Sequence, residues 1–448
     1  MKVIVIGANH AGTHAINTLA DNYKGTIEVT TYDRNSNISF LGCGMALWIG
    51  KVIAGANGLF YATPELLESK GVNVFMEHDF LGADFGKKEI RVKNLTNGEI
   101  ITDTYDKLII ATGSWPILPP IPGMDLENVF YAKIYQNACA VNSKMCENRI
   151  CKVAVVGAGY IGVELAEAFK RNGKDIVLIS DMNVMNNYYD PEFQERMRKN
   201  LENNGIELAL GEKVVEIKGT DDHVSSIVTD KQEITVDMVL MSVGFRPNTE
   251  SFKGTGLAMS DRGVIQVNNK QETNIPDVYA IGDCCDIQNN ATGERDYIAL
   301  ASNAVRTGIV AAHNVAGKNM EMLGVQGSNA IHIYDLSLAS TGLTEEAAIR
   351  ADFKVKSVTV TDNIRPDFMP ENDEVTLKIV WDAETDRILG AQLASRADIT
   401  LAVHTFSLMI QEQYTIDKLA LFDQFFLPHF NKPANFITKA GLEAMSQK

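Results

Sequence analysis

The chain has no surplus of positive charge and no apolar run long enough to cross a bilayer. Of its 448 residues, 41 are Lys or Arg and 57 are Asp or Glu, a formal net charge of −16. Gripping a phosphate backbone needs clustered cations, so nucleic acid is not an expected partner. The most apolar stretch, residues 38–50, is interrupted by three glycines and falls short of the roughly 20 residues a spanning helix requires; no membrane partner is expected either. Cysteine is scarce. None of the six forms a Cys-x-x-Cys pair or a Cys/His cluster, which leaves a metal site without ligands and argues against a disulfide framework. Residues 3–6 already read as a strand, with no room before them for the cationic and apolar regions of a secretion signal. A soluble, cytoplasmic protein of two to four domains is the expectation.

What the chain does have is glycine in turns that suit dinucleotides. Val3-Ile4-Val5-Ile6 leads into Gly7-Ala8-Asn9-His10-Ala11-Gly12, then a helix over 13–22 and a strand over 27–32 that ends at Asp33. In such a βαβ unit the first glycine makes the tight turn, a small residue lets a pyrophosphate reach the helix N-terminus, the last glycine packs helix on strand, and the terminal acid binds ribose hydroxyls. The middle glycine is replaced by Asn9. A complete version follows at Gly157-Ala158-Gly159-Tyr160-Ile161-Gly162, with a helix over 163–171 and a strand over 175–179 closing at Ser180-Asp181. No Arg or Lys follows before Arg196, and a 2′-phosphate would meet the charge of Asp181, so NADH is favoured over NADPH. Two such units predict two dinucleotide sites.

Between them lies Ser39-Phe40-Leu41-Gly42-Cys43-Gly44. Glycines on both sides allow close approach to a flat ligand, and a helix beginning at Met45 would aim free N–H groups at the sulfur and lower its pKa. Cys43 is the candidate reactive group, against the alternative of a small buried hydrophobe. His10, inside the first turn, is a candidate hydrogen-bonding partner held neutral by the helix N-terminus.

Further signals order the rest. The strand over 105–110 ends at Ala111-Thr112-Gly113, the prolines at 116, 119, 120 and 122 mark a linker, and Arg246-Pro247-Asn248-Thr249 marks a crossing back. A strand over 277–283 carries Asp283 at its tip and is followed by a helix over 299–315. Cys284-Cys285 reads as buried rather than redox-active. From 324 onward strands over 330–338, 354–361, 375–381 and 388–393 and a helix over 401–411 form an α+β unit. The aromatic segment 422–430 is expected at an oligomer interface.

Gly7-x-Asn9-His10-Ala11-Gly12, Ser39-Phe40-Leu41-Gly42-Cys43-Gly44, Ala111-Thr112-Gly113, Gly157-Ala158-Gly159-Tyr160-Ile161-Gly162 and Ala280-Ile281-Gly282-Asp283 together resemble the peroxide-reductase branch of the pyridine-nucleotide disulfide oxidoreductases, which holds NADH oxidases, NADH peroxidases and coenzyme A disulfide reductases. The resemblance covers the whole chain. It implies an α/β fold with two Rossmann-like dinucleotide-binding domains, for FAD and NADH, plus a C-terminal α+β dimerisation domain, and a homodimer. The implied boundaries are 1–115 and 245–323 for FAD, 116–244 for NADH and 324–448 for dimerisation. FAD would be held by Gly7, Asn9, His10, Ala11, Gly12, Asp33, Cys43, Ala111, Thr112, Gly113, Asp283 and Ala299. NADH would be held by Gly157, Gly159, Tyr160, Ile161, Gly162, Tyr189, Gly244 and either Ser180, where the family has an acid, or Asp181. Tyr160 would cover the flavin until the nicotinamide displaces it.

Disulfide-reducing relatives carry a second cysteine shortly after the first; here Cys43 is followed by Gly44-Met45-Ala46-Leu47-Trp48. The resemblance therefore implies a lone thiolate cycling with sulfenic acid beside His10. Asn303-Ala304-Val305-Arg306 and Tyr188-Tyr189-Asp190 resemble the oxidases, which implies reduction of dioxygen to water with two NADH. NADH peroxidase, coenzyme A disulfide reductase and a redox-responsive FAD/NADH-binding protein with little turnover stay open as alternatives.

Overall fold

Each glycine turn sits at the carboxyl edge of a parallel sheet. The computed structural model describes residues 1–447. In the first sheet the strands lie in the order Val278–Ala280, Lys107–Ile110, Lys2–Ile6, Glu28–Tyr32 and Asn73–Phe75, all parallel. Val3 and Val5 point to one face, against the helices His10–Asn22 and Ala301–Val315; Ile4 and Ile6 point to the other, against a three-stranded antiparallel layer that supplies Ile90 and Val92. With both faces covered, residues 3–6 are buried whichever way they point, which is why they read as an unbroken apolar run. The strand Lys2–Ile6 lies between Glu28–Tyr32, the next strand in the chain, and the much later Lys107–Ile110, so the strand order reverses there and a crevice opens beyond its end.

The second sheet repeats the plan in the order Glu207–Leu210, Asp175–Ser180, Lys152–Val156, Met238–Met241 and Val129–Tyr131. Its leading helix is Tyr160–Arg171. Both leading helices start three residues before the sequence-based bounds, inside the fingerprint itself, because one positive-φ glycine suffices for each turn: φ is 96° at Gly7 and 102° at Gly157. The proline-marked segment Ser114–Pro116 and the return strand Phe245–Pro247 run side by side as an antiparallel pair.

The C-terminal unit is a five-stranded antiparallel sheet in the order Asn329–Ile333, Leu336–Gly342, Ile388–Ser395, Glu374–Asp382 and Val355–Asn363. The expected single strand over 330–338 is a hairpin. Tyr334, at φ 53°, turns the chain there with no glycine to signal it. Helices Val403–Gln411, Ile416–Leu421 and Phe436–Ser446 contribute to the apolar core on one face of this sheet, while Ile331, Ile333 and Leu338 pack toward the helices of the second unit. Phe425 and Phe430 are 70% and 60% exposed, so this end of the aromatic segment is not core. Among the described residues no helix is long and apolar enough to cross a membrane.

Two further bounds are corrected. The strand expected over 277–283 stops at Ala280, and Asp283 stands on a short helical turn, Gly282–Cys284. The following helix begins at Ala301, which leaves Ala299 in the loop before it.

Candidate active site

A single cleft of about 1640 Å³ runs between the carboxyl ends of the two parallel sheets and the hairpin of the third unit. It exceeds the volume of a site for one drug-sized ligand, roughly 300–1,000 Å³. Its walls carry Gly7, Asn9, His10, Ala11, Asp33, Cys43, Ala111, Thr112, Gly113, Asp283 and Ala299 from one side and Gly157, Gly159, Tyr160, Ile161, Ser180, Asp181 and Gly244 from the other. Gly12 and Gly162 lie behind the wall and act through packing: a Cβ at either would sit 1.8 Å from the carbonyl oxygen of Gly7 or Gly157.

The helices His10–Asn22 and Tyr160–Arg171 both begin without a side-chain cap, at Asn9 and Gly159. Their first N–H groups face a site suited to an anion. A Cβ at Gly159 would meet only the Tyr188 ring, at 4.0 Å, so the space in front of that helix is open. Asp33, 7% exposed, accepts hydrogen bonds from Ala8 N at 2.7 Å and Asn35 N at 2.8 Å. Burial pushes its carboxyl above the usual range against the pull of those amides. Ser180 turns its hydroxyl inward to accept from Met182 N at 3.2 Å, while Asp181 is exposed on the wall.

Cys43 occupies a helical turn, Gly42–Gly44, ahead of the helix Met45–Ile49. Its residue is exposed to the cleft, yet the walls crowd the sulfur, and that desolvation together with the charge of Glu164 raises the thiol pKa; the N–H groups of Cys43 and Gly44 pull the other way and do not prevail. The expected lowering by the helix is thus not met. The helix has only five residues, and Gly44 N already donates to Leu41 O at 2.9 Å. His10 Nδ1 is hydrogen-bonded to the Tyr61 hydroxyl at 3.0 Å, with the rings stacked at 5.8 Å. Burial holds the imidazole pKa down, with His14 and Lys133 adding to it and Asp283 opposing. When the phenol donates, the ring proton sits on Nε2 and is free to serve the cleft.

A family model for pyridine nucleotide-disulphide oxidoreductases matches residues 1–308, and one for the dimerisation domain of the same family matches 329–433. The chain belongs to the pyridine nucleotide-disulphide oxidoreductases. This oxidoreductase is 53% identical to an NADH oxidase of Streptococcus pyogenes, over 99% of both chains. It is 45% identical to an NADH oxidase of Lactococcus lactis, over 99% of this chain and 100% of that one. Its fold matches the water-forming NADH oxidase of Lactobacillus brevis bound to NADH with a TM-score of 0.96 and 40% identity, covering 100% of this chain and 98% of that one.

The family depends on FAD, and the residues of this oxidoreductase fit it: an uncapped helix for the pyrophosphate, a carboxylate, Asp33, held on the cleft wall by Ala8 N, Asn35 N and Asn35 Nδ2 for the ribose, and glycines where side chains would collide. Tyr188, not Tyr189, stands on the cleft wall; Tyr189 is 1% exposed behind it. Sequence reasoning missed Tyr61, Lys133, Ser114 and Glu164. Ser114 Oγ donates to Asp283 Oδ2 at 2.8 Å and accepts from Lys133 Nζ at 2.8 Å. Lys133 and Tyr61 come from segments without a motif; the fold sets Lys133 on the cleft wall and Tyr61 behind His10, while Ser114 directly follows Ala111-Thr112-Gly113. Glu164, four residues after Tyr160 on one helix face, had a usable signal. Cys284 and Cys285 are buried and free, and donate to backbone carbonyls of Ile281 and Gly282.

Proposed function

We propose that the chain is a homodimeric, FAD-dependent NADH oxidase that reduces dioxygen to water with two NADH. The observation that carries this reading is that Cys43 is the one cysteine on the wall of the cleft among the described residues. A thiol with no partner cannot form a disulfide within its chain, and the oxidised state that peroxide gives it is the sulfenic acid. Full-length similarity to NADH oxidases supports the donor and the acceptor. The match to a dimerisation domain, with exposed Phe425 and Phe430 in the same unit, supports the homodimer.

FAD, when bound, takes hydride from NADH and delivers electron pairs to the acceptor. Gly7, Asn9, Asp33 and Asp283 hold it in this reading, and Gly157, Gly159, Tyr160 and Asp181 hold NADH. Cys43 thiolate attacks one oxygen of the peroxide produced by the first electron pair; the O–O bond breaks, the S–O bond forms, sulfur is oxidised by two electrons and hydroxide leaves to become water. A second hydride equivalent returns the sulfenic acid to thiolate and releases the other oxygen as water. His10, neutral and held by Tyr61, donates from Nε2 to the oxygen on sulfur.

The acceptor is tested by supplying dioxygen, hydrogen peroxide or coenzyme A disulfide separately, the last two without air. The reading expects NADH consumption to be fastest with dioxygen. Preference for peroxide, or for the disulfide, would reassign the chain to one of the other branches. Turnover well below ~1 per second with all three, against an enzyme median near 10, would make it a redox-responsive binding protein.

A further inference from the structure

Tyr160 is tied to the third unit by a chain of hydrogen bonds. Its hydroxyl donates to Tyr189 Oη at 3.3 Å, and Tyr189 donates to Asn329 Oδ1 at 3.3 Å. Asn329 is itself fixed: its Nδ2 donates to Gly327 O at 2.8 Å, and Ser340 Oγ donates to its Oδ1 at 3.0 Å. A phenol has one proton. Because Asn329 takes that of Tyr189, the Tyr189 oxygen is left to accept from Tyr160, and the direction of the whole chain is set from the third unit. Tyr188 adds an edge-on ring contact to Tyr160 at 4.5 Å.

The anchor cannot follow Tyr160 if that ring moves. Tyr189 O accepts from Gln194 Nε2 at 2.6 Å. The next residue, Asp190, exchanges two hydrogen bonds with Gln392, each of 2.6 Å, and its carboxylate lies 3.2 Å from the buried Lys378 ammonium. Residues 189–190 are thus pinned to the third sheet, and displacing Tyr160 means breaking its bond to Tyr189.

We propose that Asn329 is a positioning residue that latches Tyr160 in the cleft, so that nicotinamide entry is opposed by the third unit through Tyr189. The inference rests on the NADH-binding role of Tyr160 given above. A ligand that binds only the displaced state has its apparent affinity reduced by the fraction of protein in that state, and one neutral hydrogen bond alters that fraction about two- to tenfold.

The test is anaerobic stopped-flow reduction of the FAD-loaded protein by NADH. Asn329→Leu is expected to lower the NADH concentration giving half-maximal reduction by about two- to tenfold, with the limiting rate little changed. Tyr189→Phe, which removes the same link without touching the third sheet, is expected to lower it by a similar factor. An unchanged or raised half-saturation in both Asn329→Leu and Tyr189→Phe overturns the latch alone. A wild-type flavin that NADH fails to reduce overturns the oxidase reading and the latch with it.

Discussion

Replacing Glu164 by Gln separates the electrostatics of the cleft from its shape. Glu164 lines the cleft, and burial, reinforced by Glu167, raises its carboxyl pKa from 4.5 to about 7. Nothing around it pulls the other way. Folded, the group keeps its proton until about pH 7; unfolded, it gives the proton up near 4.5. The cost of burying the carboxylate is therefore absent below the lower value, grows between the two, and is fully present above the upper one. At about 1.4 kcal/mol per pKa unit it reaches about 3 kcal/mol. Glu164→Gln removes this cost, so its thermal midpoint should rise relative to wild type as the pH goes from about 5 to about 8. The same charge raises the Cys43 thiol pKa, so the variant should alkylate with iodoacetamide at Cys43 with a midpoint at lower pH than wild type. Alkylation must be followed on the peptide carrying Cys43, since Cys146 and Cys151 are also exposed. A Cys43 midpoint that is unmoved or higher, with a midpoint difference flat across the pH range, would refute the argument.

Two further perturbations test how the site is held. Gly12→Ala puts a Cβ 1.8 Å from Gly7 O, which must push the helix His10–Asn22 off its strand; the purified variant should carry far less than one FAD per chain, and full flavin content by absorbance would contradict the packing role. Lys378, with its side chain 6% exposed, sits between Asp190, Glu192 and Glu345 at 3.2, 3.0 and 2.9 Å. Lys378→Met leaves the buried Asp190 charge without its cation and should cost about 3–5 kcal/mol, read as a large fall in thermal midpoint; a variant as stable as wild type would show that the cluster is not stabilising.

The two sheets, their turns and the position of Cys43 were legible because local chemistry dictates them. A strand buried on both faces favours a continuous apolar run, as at residues 3–6 and 153–156, and a strand-to-helix reversal that presses backbone on backbone admits only glycine, as at Gly7 and Gly12. Asp33 followed from the same geometry. The hairpin at Tyr334 was not legible, because a tyrosine adopts positive φ there under tertiary constraint and the sequence shows only continuing β pattern. The direction of the Cys43 pKa was misjudged for a similar reason: the helix is visible in sequence, whereas the crowding walls and Glu164 arrive from segments far along the chain. Tyr61 and Lys133 belong to stretches that carry no motif, and their roles exist only once the fold sets Tyr61 against His10 and Lys133 on the cleft wall.

The claim that Cys43 takes oxygen from peroxide is tested most directly by counting NADH consumed per dioxygen in an oxygen electrode, with hydrogen peroxide assayed in parallel, for wild type and Cys43→Ser. Wild type should consume two NADH per dioxygen and leave no peroxide. Cys43→Ser should consume about half as much NADH per dioxygen and release hydrogen peroxide in matching amount, since the flavin still delivers the first electron pair but no thiolate remains to accept oxygen. An unchanged ratio without peroxide in the variant would contradict the account.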